Sequence, residues 1–143
     1  GERLYVRVDA RGLEPGARHA TQLRGHPAGA AGACPTTDAD LDGSGRIDPA
    51  EATPATGPVL VTLDPDPTGL QDPAAFPVAS RVGVLNWEGI GPVSDAEARI
   101  RAEFGPAAAL QPLDRRQVVL HALPAEPGGA GLPVACGSLH RVR

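Results

Sequence analysis

The chain contains no lysine: all 13 of its basic residues are arginine, set against 17 acidic ones, for a formal net charge of −4 over 143 residues. That balance lacks the basic surplus a phosphate-backbone binder needs, so nucleic acid is not an expected partner. Long apolar runs are missing too. Every apolar stretch is only a few residues long, with Arg, Asp or Pro close by, and no transmembrane segment is expected. Cysteine is scarce. Cys34 and Cys136 have no CxxC spacing and no Cys/His cluster around them that would hold zinc. They read either as one structural bridge or as two buried thiols, and a bridge implies an oxidising, extracellular, periplasmic or cell-surface (secreted) setting. The chain starts at Gly1 without a signal-peptide pattern, as a mature secreted protein also would.

What the chain has in excess is Gly and Pro, 18 and 16 residues, a composition that argues against a helical bundle or coiled coil. With 41% apolar residues it can bury one core of ordinary size, which predicts a single domain over 1–143. Leu4, Val6 and Val8 alternate with Arg3, Tyr5, Arg7 and Asp9, the pattern of a half-buried strand. A turn follows at Gly12 to Gly16, then a strand from Arg18 to Arg24. His26 to Thr56 is poor in bulky apolar groups and reads as one long functional loop. Further strands are predicted at Gly57–Leu63, Arg81–Trp87, Arg116–Ala122 and Leu132–Val142, with strand-breaking turn residues at 64–73. Trp87 is expected to be a core aromatic ahead of a turn. One helix is marked by Ser94 and Glu97 as a capping box, Ala96, Ile100 and Phe104 on one face, and Gly105-Pro106 as its stop. This pattern predicts an all-β Greek-key sandwich or barrel with long loops and one short helix.

Residues 40–51, Asp-Leu-Asp-Gly-Ser-Gly-Arg-Ile-Asp-Pro-Ala-Glu, match the twelve-residue EF-hand loop position by position. Asp40, Asp42 and Ser44 stand at positions 1, 3 and 5, and Gly45 at the sharp turn. The Arg46 carbonyl stands at position 7, Asp48 at position 9 acting through a water, and Glu51 as the bidentate ligand at 12. Ile47 is expected to pack inward. All these donors are hard oxygens, as Ca²⁺ requires. A second register starting at Asp38 places Pro49 at position 12 and loses the bidentate carboxylate, so the first is preferred and the calcium loop spans 38–51. Pro49 and Pro54 argue against a full exiting helix. The expected role is a calcium staple within a β protein, structural more than signalling.

The segment Arg11-Gly-Leu-Glu-Pro-Gly-Ala-Arg-His-Ala-Thr-Gln-Leu-Arg-Gly25 resembles the Cu/Zn superoxide dismutase family, whose members carry a Gly-Leu-x-x-Gly turn before a His-x-x-His-x-His strand. Cys34, Val118-Val-Leu-His121 and Ala135-Cys136-Gly137 agree in order with that family's loop cysteine, last copper-ligand strand and terminal Ala-Cys-Gly. The likeness is greatest to bacterial secreted members in which Cys-Pro-Thr precedes an acidic loop. The resemblance implies the Greek-key sandwich and a Cys34–Cys136 disulfide. It also implies lost catalysis: His19 falls on the first, structural histidine, Gln22 and Arg24 fall on the next two copper-ligand positions, and only His121 remains. A guanidinium cannot ligate copper. The family's zinc loop is replaced by the oxygen-only loop, and its superoxide-guiding Arg falls near Pro133.

The expected function is therefore a secreted, non-catalytic superoxide dismutase-like module that binds Ca²⁺. Two alternatives stand beside it: a copper- or zinc-binding protein or superoxide dismutase using His121 with His19 or His26, and a packing module of a surface assembly. On the first reading His19 and His121 are structural histidines with satisfied ring nitrogens, while His26 and His140 are exposed.

Overall fold

A computed structural model describes residues 1–63, 76–123 and 131–140. Among these residues six strands make two antiparallel sheets: β1 (Arg3–Ala10) pairs with β4 (Leu85–Pro92), and β3 (Val59–Thr62), β2 (His19–Arg24), β5 (Gln117–Ala122) and β6 (Pro133–Ser138) lie side by side in that order. Two short helices, α1 (Pro49–Thr56) and α2 (Val93–Phe104), complete a mostly β, sandwich-like architecture. No helix among the described residues is long and apolar enough to cross a membrane.

The alternation in β1 does what its pattern predicts. Val6 and Val8 are buried, and the register sets them opposite Gly89 and Trp87. From the other sheet Leu23, Leu60, Val118 and Leu120 join them, and α2 closes the core with Ala96 and Ile100. Side chains directly opposite in an antiparallel pair share a face. One face of the four-stranded sheet therefore carries Leu23, Val118 and Leu120 into this core, while Gln22, Arg24, Gln117, Val119 and His121 occupy the outer face. The Cys34–Cys136 disulfide ties the loop after β2 across that outer face, because Cys136 stands opposite Val119.

Six sequence expectations change. The segment from His26 to Thr56 is not one loop: it holds a 3-10 turn at Thr37–Ala39 and the helix α1. An exiting helix does form despite Pro49 and Pro54. Pro49 sits in the first turn, where its missing N–H has no helical partner to lose. Asp48 and Glu51 form the capping box that offsets the bond lost at Pro54. The strand expected at Arg81–Trp87 begins only at Leu85, because Ser80 to Val84 close a turn in which Gly83 has φ 71°. Trp87 consequently lies inside a strand and is partly buried against the core, its indole over the side-chain-free Gly89. The helix α2 starts at Val93, with Pro92 as an N-cap that makes no side-chain bond; the Ser94 hydroxyl bonds Asp95 instead, while Glu97 accepts the Leu110 amide at 2.9 Å and pairs with Arg101 at 3.0 Å. The last strand ends at Ser138; the break expected at 64–73 and the residues after His140 lie outside the described residues.

Candidate metal centre

The turn at Thr37–Ala39 delivers Asp40 to the start of the acidic loop, and α1 fixes its end. Between them the chain reverses through Gly43 at φ 70° and Gly45 at φ 78°, a conformation that side-chain-bearing residues adopt only at a cost. The reversal aims backbone amides inward. Ser44 N–H donates to Asp40 Oδ1 at 3.0 Å and to Asp42 Oδ1 at 2.9 Å, and Gly45 N–H donates to Asp40 Oδ2 at 2.8 Å. Glu51 reaches back across the loop: its Oε1 accepts from Leu41 N–H at 2.8 Å, and its Oε2 from Asp48 N–H at 3.0 Å. The amides thus hold three carboxylates in place.

Asp40, Asp42 and Glu51 each offer an oxygen within 4.8 Å of the others, the one such grouping of acidic, His or Cys side chains among the described residues. The remaining predicted ligands are placed differently. The Ser44 hydroxyl donates to the Arg46 carbonyl at 3.1 Å, so positions 5 and 7 of the loop face each other. The Asp48 carboxylate accepts from Glu51 N–H at 2.9 Å and serves as the cap of α1. The amide of Ser44 holds the Asp42 carboxyl below the usual carboxylate range, which keeps it charged and ready for a cation. Leu41 is 82% exposed, and Ile47 is half-buried rather than packed fully inward. Ile47 lines a cleft of about 430 Å³ between the loop (Thr37, Asp40, Arg46) and the strand region Leu132–Val134.

A set made only of oxygen donors, carrying three formal negative charges, suits a hard divalent cation and offers nothing to a soft one. The face bearing the copper-ligand positions of the resemblance does not fit copper. Gln22, Arg24 and His121 do share one face, but the Arg24 guanidinium is buried among them and only one imidazole is present. His19 points to the opposite face, beside Leu23, and so does not converge with His121. Neither histidine is satisfied as expected: both ring nitrogens of His19 and the Nε2 of His121 are buried without partners, while His121 Nδ1 lies 3.0 Å from the Gly131 carbonyl. Burial pushes His121 below the ordinary histidine value; the Gly131 carbonyl opposes this and Arg24 adds to it. His26 is half-buried, and His140 is exposed as expected.

Two features escaped the sequence reading. The Asp48-x-x-Glu51 capping box coincides with two of the positions expected to bind the metal. Arg116 had no local signal at all. It is fully buried and donates to the carbonyls of Leu110, His26, Ala109 and Gln111 at 2.7 to 3.1 Å, pinning the His26 loop to the chain ahead of β5. Comparison with protein-family models, curated proteins and solved structures found no match.

Proposed function

We propose that the protein is a secreted, non-catalytic module with the Greek-key topology of the Cu/Zn superoxide dismutases, in which Ca²⁺ bound by the 38–51 loop acts as a structural staple. The observation that supports this most is the convergence of Asp40, Asp42 and Glu51 around a loop already bent by its own amides. The cation takes those three carboxylates, with the Ser44 hydroxyl and the Arg46 carbonyl next to them in the loop order. Its binding ties the turn before Asp40 to α1 and steadies one wall of the neighbouring cleft. Secretion rests on the disulfide, which is typical of oxidising compartments. The lack of catalysis rests on Arg24, whose charge repels a copper ion.

An extracellular loop of this kind needs a Kd of only roughly 10⁻⁴ to 10⁻³ M. At about 100 times Kd, calcium stabilises the fold by about 2.7 kcal/mol. For a chain of this size that raises Tm by about 5–10 °C. Calorimetric titration of chelator-treated protein is expected to show one calcium site, and Glu51→Gln to remove both heat and Tm shift. No heat together with an unchanged Tm overturns the reading. Elemental analysis of the purified protein followed by a superoxide assay tests the catalytic alternative, which stoichiometric copper with rapid dismutation would establish.

A further inference from the structure

The outer face of the four-stranded sheet carries a buried cation that no acidic side chain among the described residues balances. Arg24 is 5% exposed, its Nη2 donates to the Thr53 hydroxyl at 3.2 Å, and its Nε and Nη1 have no partner. No acidic side chain among the described residues pairs with it, and burial lowers its pKa from the ordinary arginine value. Directly opposite in register stands Gln117, 1% exposed, with its own Oε1 unpartnered. His121, 6% exposed on the same face, contributes another unpartnered atom, Nε2. Helix α1 roofs this layer through Thr53, and the loop bearing Gly32 covers Gln117.

Such a cluster departs from the rule that buried polar groups find partners, and an unseen water or ion is among its standard causes. Arg116 shows how the same chain buries a guanidinium when nothing is missing, with every nitrogen donating to a backbone carbonyl. Arg24 has no such cage, and an arginine cannot escape by losing its proton. Water would satisfy its hydrogen bonds but leave the full positive charge uncompensated in a low-dielectric layer. We propose that Arg24 and Gln117, beneath α1, form a binding site for one small monovalent anion of halide size. A single charge matches the single guanidinium, and the depth of burial restricts the occupant to an ion that fits between side chains. Rotation of the Gln117 amide, whose oxygen and nitrogen exchange places with little change of shape, turns its NH₂ toward the anion. Arg24 Nε–H and Nη1–H supply the other donors.

The site is tested on the intact protein with saturating calcium, so that its outcome is independent of the metal loop. Crystals grown in bromide are expected to show one anomalous peak within hydrogen-bond distance of Arg24 Nε or Nη1. In solution, replacing isethionate by chloride at fixed ionic strength is expected to raise Tm by several degrees. Arg24→Met should abolish that rise, and Gln117→Leu should weaken the apparent chloride affinity several-fold. A peak-free water beside Arg24, bromide confined to surface positions, or an unchanged chloride response in Arg24→Met overturns the proposal. The bromide experiment on the unmutated protein decides the matter even if a variant does not fold.

Discussion

The two faces of the four-stranded sheet bury the same strands by different physical means. On the inner face Leu23, Val118 and Leu120 meet Val6, Val8, Leu85 and Ile100, and stabilisation comes from apolar area removed from water. On the outer face the strands present Gln22, Arg24, Gln117 and His121 around Val119, and the cover is the loop after β2 together with α1. That cover is held by the Cys34–Cys136 bond, the Arg116 cage and the Arg24–Thr53 contact. Non-directional burial suffices where facing strands are apolar. A polar face needs covalent and directional links, and it leaves unpaired atoms where those links run out.

The largest effect should come from cutting the covalent link. The bridge spans 102 residues, for which the chain-entropy model gives about 4–5 kcal/mol. Replacing Cys34 and Cys136 by serine should lower stability in denaturant by that order. Amide exchange should rise across the His26 to Gly32 cover more than at Leu23 or Leu120. A loss below about 1 kcal/mol would mean that apolar burial holds the cover unaided.

The two buried arginines give the next contrast. Arg116→Met leaves four backbone carbonyls without their donor and is expected to cost about 3 kcal/mol. Arg24→Met removes an uncompensated charge and one bond to Thr53, so in halide-free buffer it should cost less than about 1 kcal/mol or stabilise the fold. Equal costs for the two, measured by urea denaturation, would erase the distinction between a caged and an uncaged guanidinium.

The smallest effect concerns protons. His121 has its folded value pushed below the ordinary one, first by burial, so it is held neutral while the unfolded chain binds a proton more readily. Its effect on stability is absent well above the unfolded value of about 6.5 and becomes a loss as pH falls below it, with a slope of at most about 1.4 kcal/mol per pH unit. In halide-free buffer the urea midpoint should fall from about pH 6.5 downward, and His121→Asn should flatten that limb. A midpoint that rises on acidification would contradict a His121 held neutral.

Much of the local structure was legible because short-range rules act within a few residues. The alternation of β1, the Gly16 turn, the apolar stripe of α2 and its stop at Gly105 all lie where the pattern puts them. The acidic loop was legible because Asp38, Asp40 and Asp42 recur every second residue ahead of Gly45. Helix α1 was misread because Pro49 and Pro54 outweighed a capping box that only geometry reveals as used twice. The Ser94 cap failed because Glu97 had a distant partner in the Leu110 amide.

By itself, then, the sequence determined the strands' apolar faces, the acidic loop with its Gly-directed reversal, and two cysteines available for a bridge. Each of those follows from periodicity or from a residue's own conformational limits. Only the tertiary structure decided that Asp40, Asp42 and Glu51 meet while Asp48 caps a helix, that His19 and His121 point to opposite faces, and that Arg116 is caged while Arg24 is not. Those outcomes depend on register and on partners six to ninety residues away, which no local pattern encodes.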